Sequence, residues 1–223
     1  TRNTGGRRRF LLGFGSAVVN VGDGPLLIEG ERPTRKRRLM SAAQILRRTD
    51  GSTLTRRNVA SMLYVRSEDH AHWHVLRFER YELRRASDGK LVRPDRKTGF
   101  CLGDRYDHDP KKRLANEPAK AVWTHRCGIR KPGLLRIREG ISVGYGDDYD
   151  PHVEGQYVDL TRVPAGQYEL VHRVNADRRL READYGNNAS SILFELGWPG
   201  GFGASPSLNV LARCPDSDRC RRS

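Results

Sequence analysis

The run His70-Ala71-His72-Trp73-His74-Val75-Leu76-Arg77-Phe78-Glu79-Arg80-Tyr81-Glu82-Leu83 decides the fold. Three histidines alternate with Ala71 and Trp73 in its first half. On a helix, side chains two residues apart point about 200° away from each other, so the imidazoles would scatter. On a strand, positions i, i+2 and i+4 share one face, and the outer Cα atoms stand about 13 Å apart. The second half, Phe78 to Leu83, mixes apolar and charged positions as a half-buried strand does. The whole stretch Trp73–Leu83 therefore reads as strand. Three imidazoles on one strand face are a candidate metal site if the outer two lean inward. Imidazole nitrogen suits copper, zinc, nickel or iron, and the pattern alone does not choose among them.

The same alternation recurs outward from this run. Phe10–Gly13, Ala17–Val21, Leu26–Glu29, Met40–Arg47, Tyr64–Val65, Leu91–Val92, Leu134–Val143, Gln156–Leu160, Tyr168–Val174 and Ser191–Leu196 read as strands. Turn signals separate them, Asp50-Gly51 and Asp88-Gly89 among them. Residues 104–121 are polar and rich in lysine and proline, which predicts a long loop. The fold class is all-β, with an antiparallel β-sandwich core and long loops. Residues 1–196 form the main domain, and residues 197–223 a Gly/Pro-rich segment with a short tail. The opening Arg7-Arg8-Arg9-Phe10-Leu11-Leu12 is similar to a twin-arginine export signal. Gly13 and Gly15 break its apolar run and no A-x-A site follows, so it reads as a strand, with any leader expected upstream of Thr1.

Composition narrows the function classes. The 223 residues carry 41 Lys and Arg against 27 Asp and Glu, a formal net charge of +14. Residues 1–48 hold eleven of the cations (among them Arg35, Lys36, Arg37 and Arg38) and three acids. A field of that sign attracts anionic polymers such as those of a cell surface. No ribonucleoprotein motif, zinc-finger spacing or basic heptad accompanies it, so no specific nucleic-acid partner is expected. No apolar run approaches the length of a membrane span. The four cysteines, Cys101, Cys127, Cys214 and Cys220, suit two disulfides in an oxidising compartment. Pairing Cys101 with Cys127 and Cys214 with Cys220 is the simplest of the three pairings that four cysteines allow.

Six further segments join the histidines in order: Lys97-Thr98-Gly99-Phe100-Cys101-Leu102-Gly103-Asp104, Tyr145-Gly146-Asp147-Asp148-Tyr149-Asp150, Gly155-Gln156-Tyr157-Val158-Asp159-Leu160-Thr161, Pro164-Ala165-Gly166-Gln167-Tyr168 and Glu182-Ala183-Asp184-Tyr185-Gly186-Asn187-Asn188, besides Tyr81-Glu82-Leu83 itself. Together they resemble the lysyl oxidase family, over about residues 8–196, and a bacterial secreted member more than an animal one. The resemblance implies a secreted copper amine oxidase carrying lysine tyrosylquinone. It implies His70, His72 and His74 as copper ligands, and Lys97 and Tyr145 as the residues that crosslink into the quinone. It implies primary amines or peptidyl lysine and molecular oxygen as substrates, with aldehyde, ammonia and hydrogen peroxide as products. Asp148 and Asp150, beside Tyr145, are candidate bases. Calcium is a further implied cofactor, on Glu182, Asp184, Asn187 and Asn188, whose oxygen-rich chemistry suits it. A non-enzymatic secreted copper-binding β-sandwich is the alternative.

Overall fold

The computed structural model describes residues 2–4, 7–66, 71–95, 97, 99–153 and 155–221. His70, Asp69 and Thr98 lie outside the described residues. The strands are β1 (Arg2–Thr4), β2 (Arg7–Arg9), β3 (Leu11–Gly13), β4 (Ser16–Val19), β5 (Leu26–Glu31) and β6 (Leu39–Arg47). They continue with β7 (Thr53–Arg66), β8 (Ala71–Val75), β9 (Glu79–Arg85), β10 (Leu91–Pro94), β11 (Tyr106–Asp107) and β12 (Arg136–Ile141). The last five are β13 (Tyr145–Tyr149), β14 (Tyr157–Asp159), β15 (Gly166–Val174), β16 (Ala189–Gly197) and β17 (Ser207–Cys214). The described residues contain no helix, and every strand pairing is antiparallel.

Two five-stranded sheets carry the fold, in the orders β12-β5-β6-β7-β8 and β10-β9-β15-β16-β17. Three small sheets accompany them: β11-β13-β4, β14-β3 and β1-β2. Each large sheet has its own apolar layer. The first packs Ile28, Met40, Val59, Met62 and Trp73 against Phe100, Leu102, Tyr145 and Tyr149. The second packs Tyr81, Leu83, Leu170 and Phe194 against Phe14, Val158 and Leu160 of the short strands. The Asp50-Gly51 signal produces the expected hairpin: Gly51 sits at φ 83°, and Arg48 N–H donates to Ser52 O across the turn between β6 and β7.

The expected single strand Trp73–Leu83 is two strands in two different sheets. The chain turns at Leu76–Phe78, where Arg77 takes φ 59° and Phe78 is buried. A local alternation pattern survives one turn residue, so periodicity alone does not register the break. That break carries the chain from the histidine strand into β9, and so brings the two large sheets together at one corner. Beyond residue 206, where the sequence reading names no strand, β17 pairs with β16 and extends the second sheet. The disulfides are Cys101–Cys127 and Cys214–Cys220.

Candidate functional site

The site begins at β8. Its inner edge pairs with β7, with Leu63 opposite His74 and Val65 opposite His72. Trp73 points to the opposite face, fully buried, with its indole N–H donating to Lys131 O and the Arg32 guanidinium over its ring. That anchored tryptophan sets the alternation and leaves His72 and His74 on the other face. Their ring centroids are 4.7 Å apart. Rings this close let one ion sit about 2 Å from a nitrogen of each, so the described donors fit a transition metal of imidazole preference. Among the described residues, no group of three or more His, Cys, Asp or Glu side chains gathers to hold an ion, and the expected third ligand, His70, is not among them.

The outer edge of β8 is held by loops instead of a strand. Trp73 N–H donates to Cys127 O at 2.9 Å, and Val75 and Phe100 exchange both backbone bonds. The Cys101–Cys127 disulfide ties those two loops to each other. Gly99 makes the close approach workable: a Cβ there would stand 2.7 Å from Val75 O and 3.1 Å from His74 Cβ. Asp104 closes the same region from the other side. Its carboxylate accepts from Val122 N, Trp123 N, Ser142 N and Ser142 Oγ, which fixes the loop after Cys101 to the turn that starts β13.

This clamp delivers Lys97 and Tyr149 to one point. The Lys97 Nζ lies 3.5 Å from the centre of the Tyr149 ring. It donates to Gln156 Oε1 at 2.8 Å and lies 3.6 Å from Glu79 Oε1. The Tyr149 hydroxyl accepts from Cys101 N–H at 3.1 Å, and its ring meets Phe100 at 4.6 Å and His74 at 6.4 Å. Burial holds the Lys97 ammonium below the usual lysine range, although Glu79, Asp147 and Asp95 push back. Burial also pushes the Tyr149 phenol up, helped by Asp147, Glu79 and Glu139.

Tyr145 does not share this environment. It lies at the other end of β13, about 13 Å along the strand from Tyr149. The charges around it are those of Asp107, Arg113, Glu117 and Asp104. The rings the Lys97 ammonium faces are Tyr149, Phe100 and Tyr81. Of the two tyrosines in Tyr145-Gly146-Asp147-Asp148-Tyr149, the fold therefore brings the second one to the lysine. Asp148 and Asp150 are exposed, whereas Asp147 is buried on the same strand face as Tyr149. Asp147 accepts from Asp148 N–H and faces the Arg105 Nε at 3.5 Å. Burial pushes its carboxyl up to about 7 against the pull of Arg105.

Two residues that no sequence motif marks complete the cluster. Glu79 opens β9, and its Oε2 accepts from the Tyr81 hydroxyl and lies 2.8 Å from His172 Nε2. His172 stands opposite Tyr81 across the β15–β9 pairing and stacks on its ring at 4.6 Å. Only the acidic residue at the start of a half-buried strand hinted at Glu79, and His172 carries no local signal.

The four residues expected to bind calcium lie in the loop between β15 and β16, with Asn187 exposed. Glu182 Oε1 accepts amide hydrogens from Asn175 and Asn188, and Asp184 Oδ1 accepts from Gly186 N. These bonds clasp the loop before β16.

An all-β scaffold that converges paired imidazoles, a buried lysine and the phenol beneath it defines a candidate metal and redox centre. The chain belongs to the lysyl oxidase family, whose model matches residues 27–196. It is 31% identical to the protein-lysine 6-oxidase of Sus scrofa over 121 residues, which cover 53% of this chain and 41% of that one. It is 30% identical to the lysyl oxidase homolog 1 of Homo sapiens over 120 residues, 53% of this chain and 18% of that protein. Against the lysyl oxidase homolog 2B of Danio rerio it is 28% identical over 155 residues, 69% of this chain and 18% of the other. The matches therefore span less than half the length of these relatives.

Proposed function

We propose that this chain is a copper-dependent oxidase of primary amines, and that its redox cofactor is a lysine tyrosylquinone built from Lys97 and Tyr149. The observation that carries the reading is the Lys97 Nζ resting 3.5 Å from the centre of the Tyr149 ring. An amine adds to an oxidised ring from its π face, and that separation is a near-attack distance. The joined residues would keep all their heavy atoms, gain one oxygen and lose four hydrogens. His72 and His74, with His70, would hold the copper. Once present, the copper and quinone would supply the two-electron oxidation of a primary amine to an aldehyde, with oxygen taken to hydrogen peroxide and ammonia released.

The surrounding side chains serve that chemistry. Burial of Lys97 favours its neutral, nucleophilic form. The Cys101 N–H fixes the Tyr149 hydroxyl, and Phe100 packs on the ring and shields it from water. Asp147, held up to about 7, can keep or give up a proton near neutral pH in the middle of the same strand. Exposed Asp148 and Asp150 have no such environment. The name of the Sus scrofa relative, protein-lysine 6-oxidase, supports peptidyl lysine as a substrate class beside small amines. Two disulfides suit work outside the cell.

The test is a peroxide assay on copper-loaded, air-exposed protein with n-butylamine and with a lysine-containing peptide, before and after phenylhydrazine. Peroxide release that stops as the coloured hydrazine adduct forms supports the reading. Copper-bound protein that forms neither peroxide nor adduct returns the chain to a metal-binding sandwich.

A further inference from the structure

The side chain of Glu79 is buried, 1% exposed. Its two oxygens have different duties. Oε2 accepts from the Tyr81 hydroxyl and lies 2.8 Å from His172 Nε2. Oε1 accepts no hydrogen bond among the described residues and faces the Lys97 ammonium at 3.6 Å. A carboxylate this deep is tolerable while a cation stands beside it, and becomes costly when that cation goes. The cofactor proposed above removes it: a nitrogen conjugated to a quinone is no longer a basic ammonium. The fold would then hold a buried carboxylate oxygen with an empty cationic position next to the reactive ring. The Lys97 stem stays in place in the cofactor and only its positive charge is lost, so what Glu79 Oε1 then lacks is a cation, which the ammonium of a primary-amine substrate supplies.

We propose that Glu79 is the receptor for the substrate's ammonium group, and that it takes the ammonium proton so that the neutral amine can react. The inference rests on the lysine tyrosylquinone reading. The proton moves from the substrate nitrogen to Glu79 Oε1, leaving a neutral amine and a neutral carboxyl, with no change of oxidation state. Tyr81 is a positioning residue: its hydroxyl donates to Oε2 and leaves Oε1 toward the amine, and His172 stacks on the Tyr81 ring. Asp147, by contrast, faces Arg105, a fixed cation that keeps its charge throughout.

The first test needs neither copper nor crosslink. Lys97→Ala removes the cation and opens its position. In that copper-free variant, n-propylammonium chloride should raise the unfolding midpoint by about 2–4 °C at a few times its Kd. Neither n-propanol nor sodium chloride at matched ionic strength should do so, and the effect should vanish in Lys97→Ala/Glu79→Gln. A midpoint indifferent to the ammonium overturns the proposal. If Lys97→Ala does not fold, Glu79→Gln in the copper-loaded protein decides. Phenylhydrazine, which is uncharged at neutral pH, should label it as fully as the parent, while KM for n-butylamine rises about tenfold or more. An unchanged KM overturns the receptor role, as does loss of the adduct in this variant alone, which would assign Glu79 to cofactor formation. Absence of adduct in the parent protein instead overturns the cofactor reading and leaves the Lys97→Ala result standing.

Discussion

Tyr145 and Tyr149 stand at the two ends of β13, four residues apart on one face, yet meet different chemistry. Tyr149 lies under Lys97, beside His74, with its hydroxyl held by Cys101 N–H. Tyr145, also buried, lies among Asp104, Asp107, Arg113 and Glu117. The strand is the same, and so is the residue type. What differs is the loop that crosses each end. Residues 97–102 cross the Tyr149 end because the Cys101–Cys127 bond and the Phe100–Val75 pairing hold them there. The reactive tyrosine is thus selected by a clamp distant in sequence.

The sharpest way to break the comparison is to remove each phenol in turn. Tyr149→Phe should abolish the Lys97 crosslink and reduce amine turnover to background. Tyr145→Phe should leave the crosslink intact and turnover within about threefold of the parent, since it loses only a hydroxyl outside the cluster. Next in size is metal binding. His72→Ala and His74→Ala should each weaken copper binding by more than about 100-fold, measured by competition with a chelator. Tyr145→Phe should leave copper affinity unchanged.

How much of this was legible follows from the same residues. Alternation placed His72 and His74 on one strand face, because period 2 is a local property. Lys97 stood out through its Phe100-Cys101-Leu102 neighbours. The tyrosine did not, because Tyr145 and Tyr149 share a strand face and only the long-range path of residues 97–102 separates them. The resemblance pointed to Tyr145, and the structure brings Lys97 to Tyr149. Glu79 and His172 were illegible for a related reason: they meet across the β9–β15 pairing, which no local pattern specifies. The turn at Arg77 hid inside an unbroken alternation. The simplest cysteine pairing is the one in the structure, with separations of 26 and 6 residues.

Those separations give the third prediction. Chain-entropy arithmetic assigns about 3.5 kcal/mol to the Cys101–Cys127 loop and about 2 kcal/mol to Cys214–Cys220. Replacing the first pair with serine should lower denaturant stability by the larger amount and also slow crosslinking, since it frees the loop that carries Lys97. Replacing the second should lower stability alone. Equal effects on crosslinking would erase the distinction between a clamp on the site and a clamp on the C-terminal segment.

The last prediction is a pH slope and concerns Asp147. Its folded-state carboxyl is pushed up to about 7 from an ordinary 3.8, so the folded protein holds a proton that the unfolded chain releases. Stability should therefore fall as pH rises from about 4 through about 7, by at most about 1.4 kcal/mol per pH unit from this group. Asp147→Asn should flatten that slope, measured by denaturant titration at several pH values. Asp148→Asn, on the exposed face, should leave it unchanged.

The central claim is that Lys97 and Tyr149 become one cofactor. Peptide mapping by mass spectrometry on copper-loaded, air-exposed protein tests it directly. The account predicts a peptide joining Lys97 to Tyr149, with one added oxygen and four hydrogens lost, and Tyr145 recovered unmodified. A crosslink from Lys97 to Tyr145, or both Lys97 and Tyr149 unmodified in protein shown to hold copper, would contradict it.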